Sequence, residues 1–568
     1  LPAMSFRPFG SLRGYRTEWL SGDAIAGLTV WAVLVPEALA YATIAGAPPV
    51  VGLYAAPGAL ILYAVFGSSR HLITGPMSAT AALSAAVVAQ FATAGSSQFV
   101  TLTAALAITA GVIAVIAGLL RLGFVANFIS EPVLKGFIIG LALTIIAGQL
   151  PKLFGVEGGS GNFFEKVWDL IRNLGETHWR TLAVGLVSLA IVVGFRRFLP
   201  VIPGSLVAVA FGVGVVYAFD LDKHGVEIVG NIDGGLPSLG LPDIRAKQYL
   251  ELAGSSIGIV LIGFAEGLGA AKTYAAQHHY EIDANSELLG LGAANLGAGL
   301  SSGMVVNGSL SKTAVNGGAG AKSQVSGLIV AGLTIVTLLF LTGLFEKLPE
   351  PTLAAVVIAA VVELVDIAAL RRLRRVVVRG QRLGIAARPD FVAALAAMLG
   401  VLVFDTLPGL VIGISCSLVL LVYRASRPHI SELGKTPGDP HRWSDLERNP
   451  DDARVPGIVV MRVEAGLFFA NADHVREAVR KAAATDGTRA VVLDAETVAF
   501  IDVTAADMLT TLTEELAAEG VVLAVAHDVG QVRDTLSETG AANAIGRNTY
   551  ATVDEAIEAL AQVDPRHG

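Results

Sequence analysis

The chain has 568 residues, of which 53% are hydrophobic and only 15% charged, with 63 glycines, a formal net charge of −8 and a mean hydropathy of +0.64. Such a composition excludes a wholly water-soluble protein and makes most of the chain a polytopic α-helical membrane protein in contact with the lipid bilayer. The acidic balance carries no information about substrate, because field strength at a site decides binding there, and no nucleic-acid partner is expected.

Leu1 to Thr17 lacks the continuous apolar core of a cleavable signal, so the first hydrophobic span is expected to stay in the mature protein. Apolar stretches recur near 23–45, 50–66, 76–93, 99–120, 131–154, 180–198 and 201–219, then near 253–276, 285–300, 309–317, 323–345, 350–365, 389–405 and 408–425. Seven and seven predict 14 spans, and an odd number per half inserts the second half upside down, as an inverted repeat. Some stretches fall short of the roughly 20 residues a spanning helix needs, notably 309–317, which runs into Gly317-Gly318-Ala319-Gly320. Spans three and ten therefore read as half-helices meeting inside protein, where backbone polar groups escape lipid.

With the amino terminus in the cytoplasm, the segments after even-numbered spans hold Arg70, Arg121, Arg196, Arg197, Lys272, Arg424 and the run Arg371-Arg372-Leu373-Arg374-Arg375. This agrees with the positive-inside rule and leaves 155–179 and 220–250 outside. A multi-pass protein of the plasma (inner) membrane is expected, with its carboxyl-terminal domain cytoplasmic. The character changes near residue 430, where Pro, Gly, Asp and Arg crowd His429 to Pro456. The division is 1–428 for the membrane domain, 429–456 for a linker and 457–568 for a soluble α/β domain. Strands are predicted at 457–463, 489–493 and 521–525, alternating with helices near 472–484, 504–518, 528–538 and 553–562. The lone Cys416 lies in an apolar run and reads as a small buried hydrophobe.

Two motifs carry the chemistry. Gly75-Pro76-Met77-Ser78-Ala79-Thr80-Ala81 and Gly308-Ser309-Leu310-Ser311-Lys312-Thr313-Ala314 share Gly-x-x-Ser-x-Thr-Ala, 233 positions apart. Glu37-Ala38-Leu39-Ala40 and Glu266-Gly267-Leu268-Gly269 share Glu-small-Leu-small, 229 positions apart. Matching interrupted segments in two halves point to a transporter's central site. Two opposed helix starts present unpaired N–H groups and about half a positive charge each, which suits a small anion. Pro76 is expected in the first turn of its helix, and the Ser and Thr hydroxyls as donors that replace hydration water; small-residue helix packing is the competing reading. An intramembrane Lys312 needs a reason, which is anion binding, pairing with Glu266, or snorkelling to an interface. Two carboxylates near an anion oppose it unless one is protonated, so Glu37 and Glu266 are candidates for proton coupling, or else either is a neutral strut or a structural partner of Lys312.

His278, His279 and Asp283 lack metal-site company and read as a solvated loop; no metal or other cofactor is expected. No Walker loop, GxGxxG after a strand or catalytic triad occurs, so the chain reads as a carrier rather than an enzyme or a nucleotide-driven pump.

Val35-Pro36-Glu37-Ala38-Leu39-Ala40-Tyr41-Ala42, Ala45-Gly46-Ala47-Pro48-Pro49-Val50-Val51-Gly52-Leu53-Tyr54 and Gly67-Ser68-Ser69-Arg70, with Gly308 to Ala314 and Asn316, resemble the signature of the SulP (sulfate permease) family. The soluble tail resembles the STAS domain that family usually carries. The resemblance implies a seven-plus-seven inverted repeat with core and gate domains, an anion site between spans three and ten, an elevator-like movement and a homodimer. It places the site on Glu37 and Tyr41, on Ser78 with Pro76, Met77 and Ala79, on Glu266, and on Ser311 and Lys312 with Ser309 and Leu310. Glu37 stands where the family commonly has Gln, which hints at protons. Sodium-coupled bicarbonate relatives pair an eighth-span Asp with a hydroxyl residue four positions on, but here Glu266 is followed by Ala270, which argues for H+ over Na+. Lys312 often appears as Arg in relatives. Asp494 and Asp502-Val503-Thr504 match the STAS signature, in which some stand-alone relatives are phosphorylated at the Thr504 position; Thr504 to Asp507 also forms a plain helix-start box.

The expected function is secondary active transport of sulfate, bicarbonate, chloride or a dicarboxylate, by proton coupling or exchange. A channel-like anion conductor and a nucleobase carrier of the same fold are the alternatives.

Overall fold

The computed structural model describes residues 8–562, apart from 13, 125–129, 160, 200–201, 231, 233, 363, 376–388, 405 and 440. The described residues fall into two compact units, 8–375 with 389–417, and 418 onward.

The first unit is helical. Its elements in order are α1 (Leu20–Ile44), α2 (Val50–Phe66), β1 (Ile73–Gly75), α3 (Ser78–Val88), α4 (Ser97–Leu119), α5 (Glu131–Phe154), α6 (Phe163–Asn173), α7 (Trp179–Phe198), α8 (Gly204–Phe219), α9 (Ala246–Gln277), α10 (Ala284–Leu300), β2 (Asn307–Ser309), α11 (Leu310–Gly318), α12 (Val325–Val336), α13 (Glu350–Val362), α14 (Ile367–Arg375), α15 (Pro389–Phe404) and α16 (Thr406–Ser426), whose last part belongs to the second unit. Among the described residues seven helical stretches are long and apolar enough to cross a membrane, namely Thr17–Ile44, Ser97–Leu119, Glu131–Phe154, Trp179–Phe198, Ala246–Gln277, Val325–Phe345 and Glu350–Arg375. The segment 155–179, between the fifth and sixth predicted spans, contains the amphipathic α6, opened by a capping box from Asn162 and Glu165.

Glycine sets how closely these helices approach. A Cβ on Gly58 of α2 would lie 2.4 Å from the Gly297 carbonyl oxygen of α10, and one on Gly297 would lie 2.4 Å from that of Gly58. Gly136 of α5 meets the Ala394 carbonyl of α15 in the same way, at 1.9 Å. Apolar tails are no reason for one helix to prefer another over lipid, so backbone proximity of this kind supplies the packing.

Two fully buried carboxylates tie loops to this bundle. Asp23 accepts from Lys322 N, Ser323 N and Ser323 Oγ, fastening α1 to the loop after α11. Glu287 accepts from Tyr63 OH, Ser68 N, Ser68 Oγ and Ser69 N, fastening α10 to the loop before β1. Each replaces lost hydration with three or four donors, which is what lets a carboxylate stay in the interior.

The second unit is built on a six-stranded sheet of order β4-β3-β5-β6-β7-β8, from β3 (Ile430–Lys435), β4 (Trp443–Asp445), β5 (Ile458–Val463), β6 (Ala490–Asp494), β7 (Val522–Ala526) and β8 (Thr549–Tyr550). β5 to β8 run parallel, and β3 is antiparallel to both β5 and β4. Helices α17 (Ala472–Ala483), α18 (Val503–Ala518), α19 (Gly530–Glu538), α20 (Ala541–Ile545) and α21 (Val553–Ala561) complete it. Alternation along the strands builds two cores: Met461, Val463, Val491, Leu493, Leu523 and Val525 pack on one face, and Ile458, Val460, Val492 and Ala524 on the other. The three predicted strands fall within a residue of β5, β6 and β7. The stretch 429–456, read from sequence as a linker, instead supplies β3 and β4, with the turn-forming residues between them closing the hairpin.

Candidate functional site

β1 and β2 pair antiparallel, Ile73 with Ser309, Thr74 with Gly308 and Gly75 with Asn307. A shift of 233 carries Thr74 onto Asn307 and Gly75 onto Gly308, so the last two pairs exchange under a local two-fold axis between the strands. Each strand leads into one of the short helices: α3 has 11 residues and α11 has nine, or roughly 16 and 14 Å against a hydrocarbon thickness of about 30 Å. Antiparallel pairing sends the two helices away in opposite senses from one strand pair, which brings their amino-terminal ends together.

The two starts are built differently. Met77 occupies the cap position of α3 with extended backbone, and no side chain caps that helix. Pro76 thus precedes the helix rather than lying in its first turn, because the strand pairing holds this link extended up to Met77. At α11 the cap is Ser309, whose Oγ accepts from Lys312 N at 3.2 Å and lies 3.1 Å from Ser311 Oγ. Ser78 and Ala79 are buried, whereas Leu310 and Ser311 are exposed. The threonine hydroxyls serve the scaffold: Thr80 donates to the Met77 carbonyl, and Thr313 accepts from Ile73 N at 3.1 Å.

Lys312 joins the halves. Its side chain, 1% exposed, leaves the first turn of α11 and reaches the link before α3, donating to the Pro76 carbonyl at 3.2 Å. Nζ also lies 2.7 Å from Glu37 Oε2 of α1 and 5.1 Å from the ring centre of Tyr41, one turn further on. Pairing with Glu266 and snorkelling to an interface are both corrected: the lysine is buried, and its ion pair is with Glu37 of α1, on which α11 packs. Truncating either partner of such a pair strands a buried charge. Glu266, on α9, is half-buried near Lys312 without forming an ion pair with it, and its Oε2 has no hydrogen-bonding partner among the described residues.

Asn307, outside both sequence motifs, is the first residue of β2 and is buried against Gly263 and Gly267 of α9, and its Nδ2 has no partner among the described residues. It lines a cavity of about 20 Å³ with Thr80, Phe264, Asn295 and Val306. The only sequence signal for it was its place one residue before the second Gly-x-x-Ser motif.

Outside this centre, His278 and His279 are exposed as expected, although the His278 ring stacks on buried His71 at 4.2 Å. Asp283 caps α10 through Ser286 N. In the soluble unit Asp494, fully buried, receives Arg462 at 2.6 Å and lies 2.9 Å from His527 Nδ1. Asp494, Glu496 and His527 converge as metal ligands do, and Arg462 lies within 2.7 Å of both carboxylates, offsetting one of their two charges. Asp502 caps α18, accepting from Ala505 N at 2.9 Å, which moves the helix start two residues ahead of the predicted Thr504 box; Thr504 is exposed.

This geometry has known counterparts. Residues 20–383 match the model of the sulfate permease family, and residues 449–556 that of the STAS domain. A Mycobacterium tuberculosis protein named "Probable sulfate transporter" is 36% identical over 96% of this chain and 96% of its own. The chloroplastic sulfate transporter 4.1 of Arabidopsis thaliana is 30% identical over 98% of this chain and 82% of its own. Among solved structures, the murine solute carrier 26 family member A9 anion transporter in its inward-facing state superposes with a TM-score of 0.86 at 21% identity, covering 96% of this chain and 92% of that one. The transmembrane domain of the cyanobacterial bicarbonate transporter BicA matches 71% of this chain and 98% of its own, with a TM-score of 0.60 at 23% identity. The fold is thus that of a helical membrane transporter carrying a soluble α/β domain. The chain belongs to the sulfate permease family of anion transporters, with a carboxyl-terminal STAS domain.

Proposed function

We propose that this protein is a secondary active transporter that binds a small anion between the starts of α3 and α11 and couples its passage to protons, with sulfate as the first candidate. The observation that carries this reading is the Lys312–Glu37 ion pair, held against the link before α3. While Glu37 is ionised, Lys312 is neutralised. A proton delivered to Glu37 releases the ammonium to an anion, which would also meet the uncapped N–H groups of α3 and the ring of Tyr41. Glu266, with an unpartnered oxygen, is a second proton acceptor on the facing helix. Sulfate leads bicarbonate, chloride and dicarboxylates because relatives that match over most of their length carry that name.

The accompanying architecture is 14 spans in two inverted halves, α3 and α11 being the half-helices of spans three and ten, with the bundle moving as an elevator against a dimeric gate. In this reading the protein resides in the plasma (inner) membrane, with the amino terminus and STAS domain cytoplasmic. The test is radiolabelled sulfate uptake into proteoliposomes with and without an inward proton gradient. Uptake should rise with the gradient, lose that dependence in Glu37→Gln and keep part of it in Glu266→Gln; a rate indifferent to the gradient in the parent protein would remove proton coupling, and failure of all four anions to compete would remove the substrate class.

A further inference from the structure

We propose that the STAS domain carries an aromatic ledge, Phe469 with Phe500 and Val503, that seats in the interface of the cytoplasmic leaflet where α16 leaves the bilayer. The three side chains are 71, 44 and 61% exposed, on a domain whose other large apolar side chains are mostly buried in its two cores. They are held as one surface. Leu467 bridges Ile501 across the two loops, Phe469 N donates to Asp502 Oδ2 at 2.8 Å, and the Phe468 ring stands between those of Phe469 and Phe500, with centres 5.5 and 6.2 Å away.

What covers the ledge follows from where it is fixed. Asn471, fully buried, turns its Nδ2 to the Ala425 carbonyl in the last turn of α16 at 3.3 Å and to the Gly466 carbonyl at 2.9 Å. The loop bearing Phe469 is thereby hydrogen-bonded to the end of a helix whose preceding turns, Leu418, Val419, Leu421 and Val422, expose apolar side chains. That same end carries Tyr423 with Arg427 stacked over its ring at 5.3 Å, the aromatic and basic pair that marks a membrane–water boundary. The lipid-facing surface of α16 therefore continues into the ledge, and an apolar patch at this depth meets headgroups and upper acyl carbons rather than bulk water.

The inference rests on α16 spanning the membrane, and its test separates the two claims. Cys416, the only cysteine in the chain, is replaced by alanine, and nitroxide labels are placed at 421, 469, 500 and 503, and at 485, beyond the far end of α17. Power saturation in proteoliposomes then compares oxygen with a water-soluble nickel chelate as relaxants. The ratio of oxygen to nickel access should shift at 469, 500 and 503 from the 485 value toward the 421 value. Ratios equal to that at 485 would leave the ledge in water, and loss of access to both relaxants would give it to protein, whether this chain or a second copy; either overturns the proposal. A label at 421 that behaves like 485 would remove α16 from the bilayer, and the ledge with it.

Discussion

The starts of α3 and α11 occupy related places in the repeat, yet one is bare and the other closed. α3 has Met77 at its cap and leaves its first N–H groups without a side-chain acceptor, whereas α11 is capped by Ser309 and sends Lys312 across to Glu37. The duplicated motif thus preserves the helix start while dividing the labour: one half keeps backbone donors open, and the other contributes a full charge whose availability depends on a carboxylate. Two identical uncapped starts would offer an anion the same field from both halves; in the proposed mechanism this pair would instead tie the field to the state of the Lys312–Glu37 ion pair.

Breaking the charged half should have the largest effect. Lys312→Met is expected to abolish uptake and, by leaving Glu37 buried and unpaired, to cost about 3–5 kcal/mol of stability. Thermal unfolding of purified protein would register that loss, and Glu37→Gln added to Lys312→Met should restore most of the stability without restoring uptake. Opening the latch between the halves comes next: Thr313→Val deprives Ile73 N of its acceptor and should cost about 1–3 kcal/mol, read in the same assay. A change to the bare half sharpens the comparison. Met77→Ser offers α3 a cap, which should add about 1 kcal/mol of stability while weakening anion affinity, because the new hydroxyl occupies N–H groups the ligand would use; unchanged affinity in a binding titration would show that those groups are not used. The smallest effect is expected from Ser309→Ala, about 1 kcal/mol of stability, with uptake reduced less than by any change at Lys312.

Much of this was legible in the sequence, for identifiable reasons. Helix starts are local, and the shared Gly-x-x-Ser-x-Thr-Ala marked both within two residues of where they lie. Partnership across the fold is not local. Lys312 and Glu37 are 275 positions apart, and the sequence offers a carboxylate on either α1 or α9 as partner; only the folded distance, 2.7 Å to Glu37, chooses between them. Asp23 and Glu287 escaped notice because each serves a loop more than 200 positions away, and nothing about an isolated acidic residue tells which backbone it will cap. Pro76 was misplaced because proline fits a first helical turn and an extended link equally well, and only the pairing of β1 with β2 chooses between them. β3 and β4 were hidden for a different reason: β4 is a three-residue edge strand and β3 lies next to it, in a stretch where charged and turn-forming residues are an ordinary protection of a sheet edge.

The register of β1 with β2 has an evolutionary corollary. Because Thr74 with Gly308 and Gly75 with Asn307 swap places under rotation, a half-length ancestor could meet an oppositely inserted copy of itself through this same two-residue handshake, with no new contact to invent. Fusion of the genes would then have freed each copy to drift on its own, and the present contrast between methionine and serine at the two caps is the kind of divergence that freedom permits.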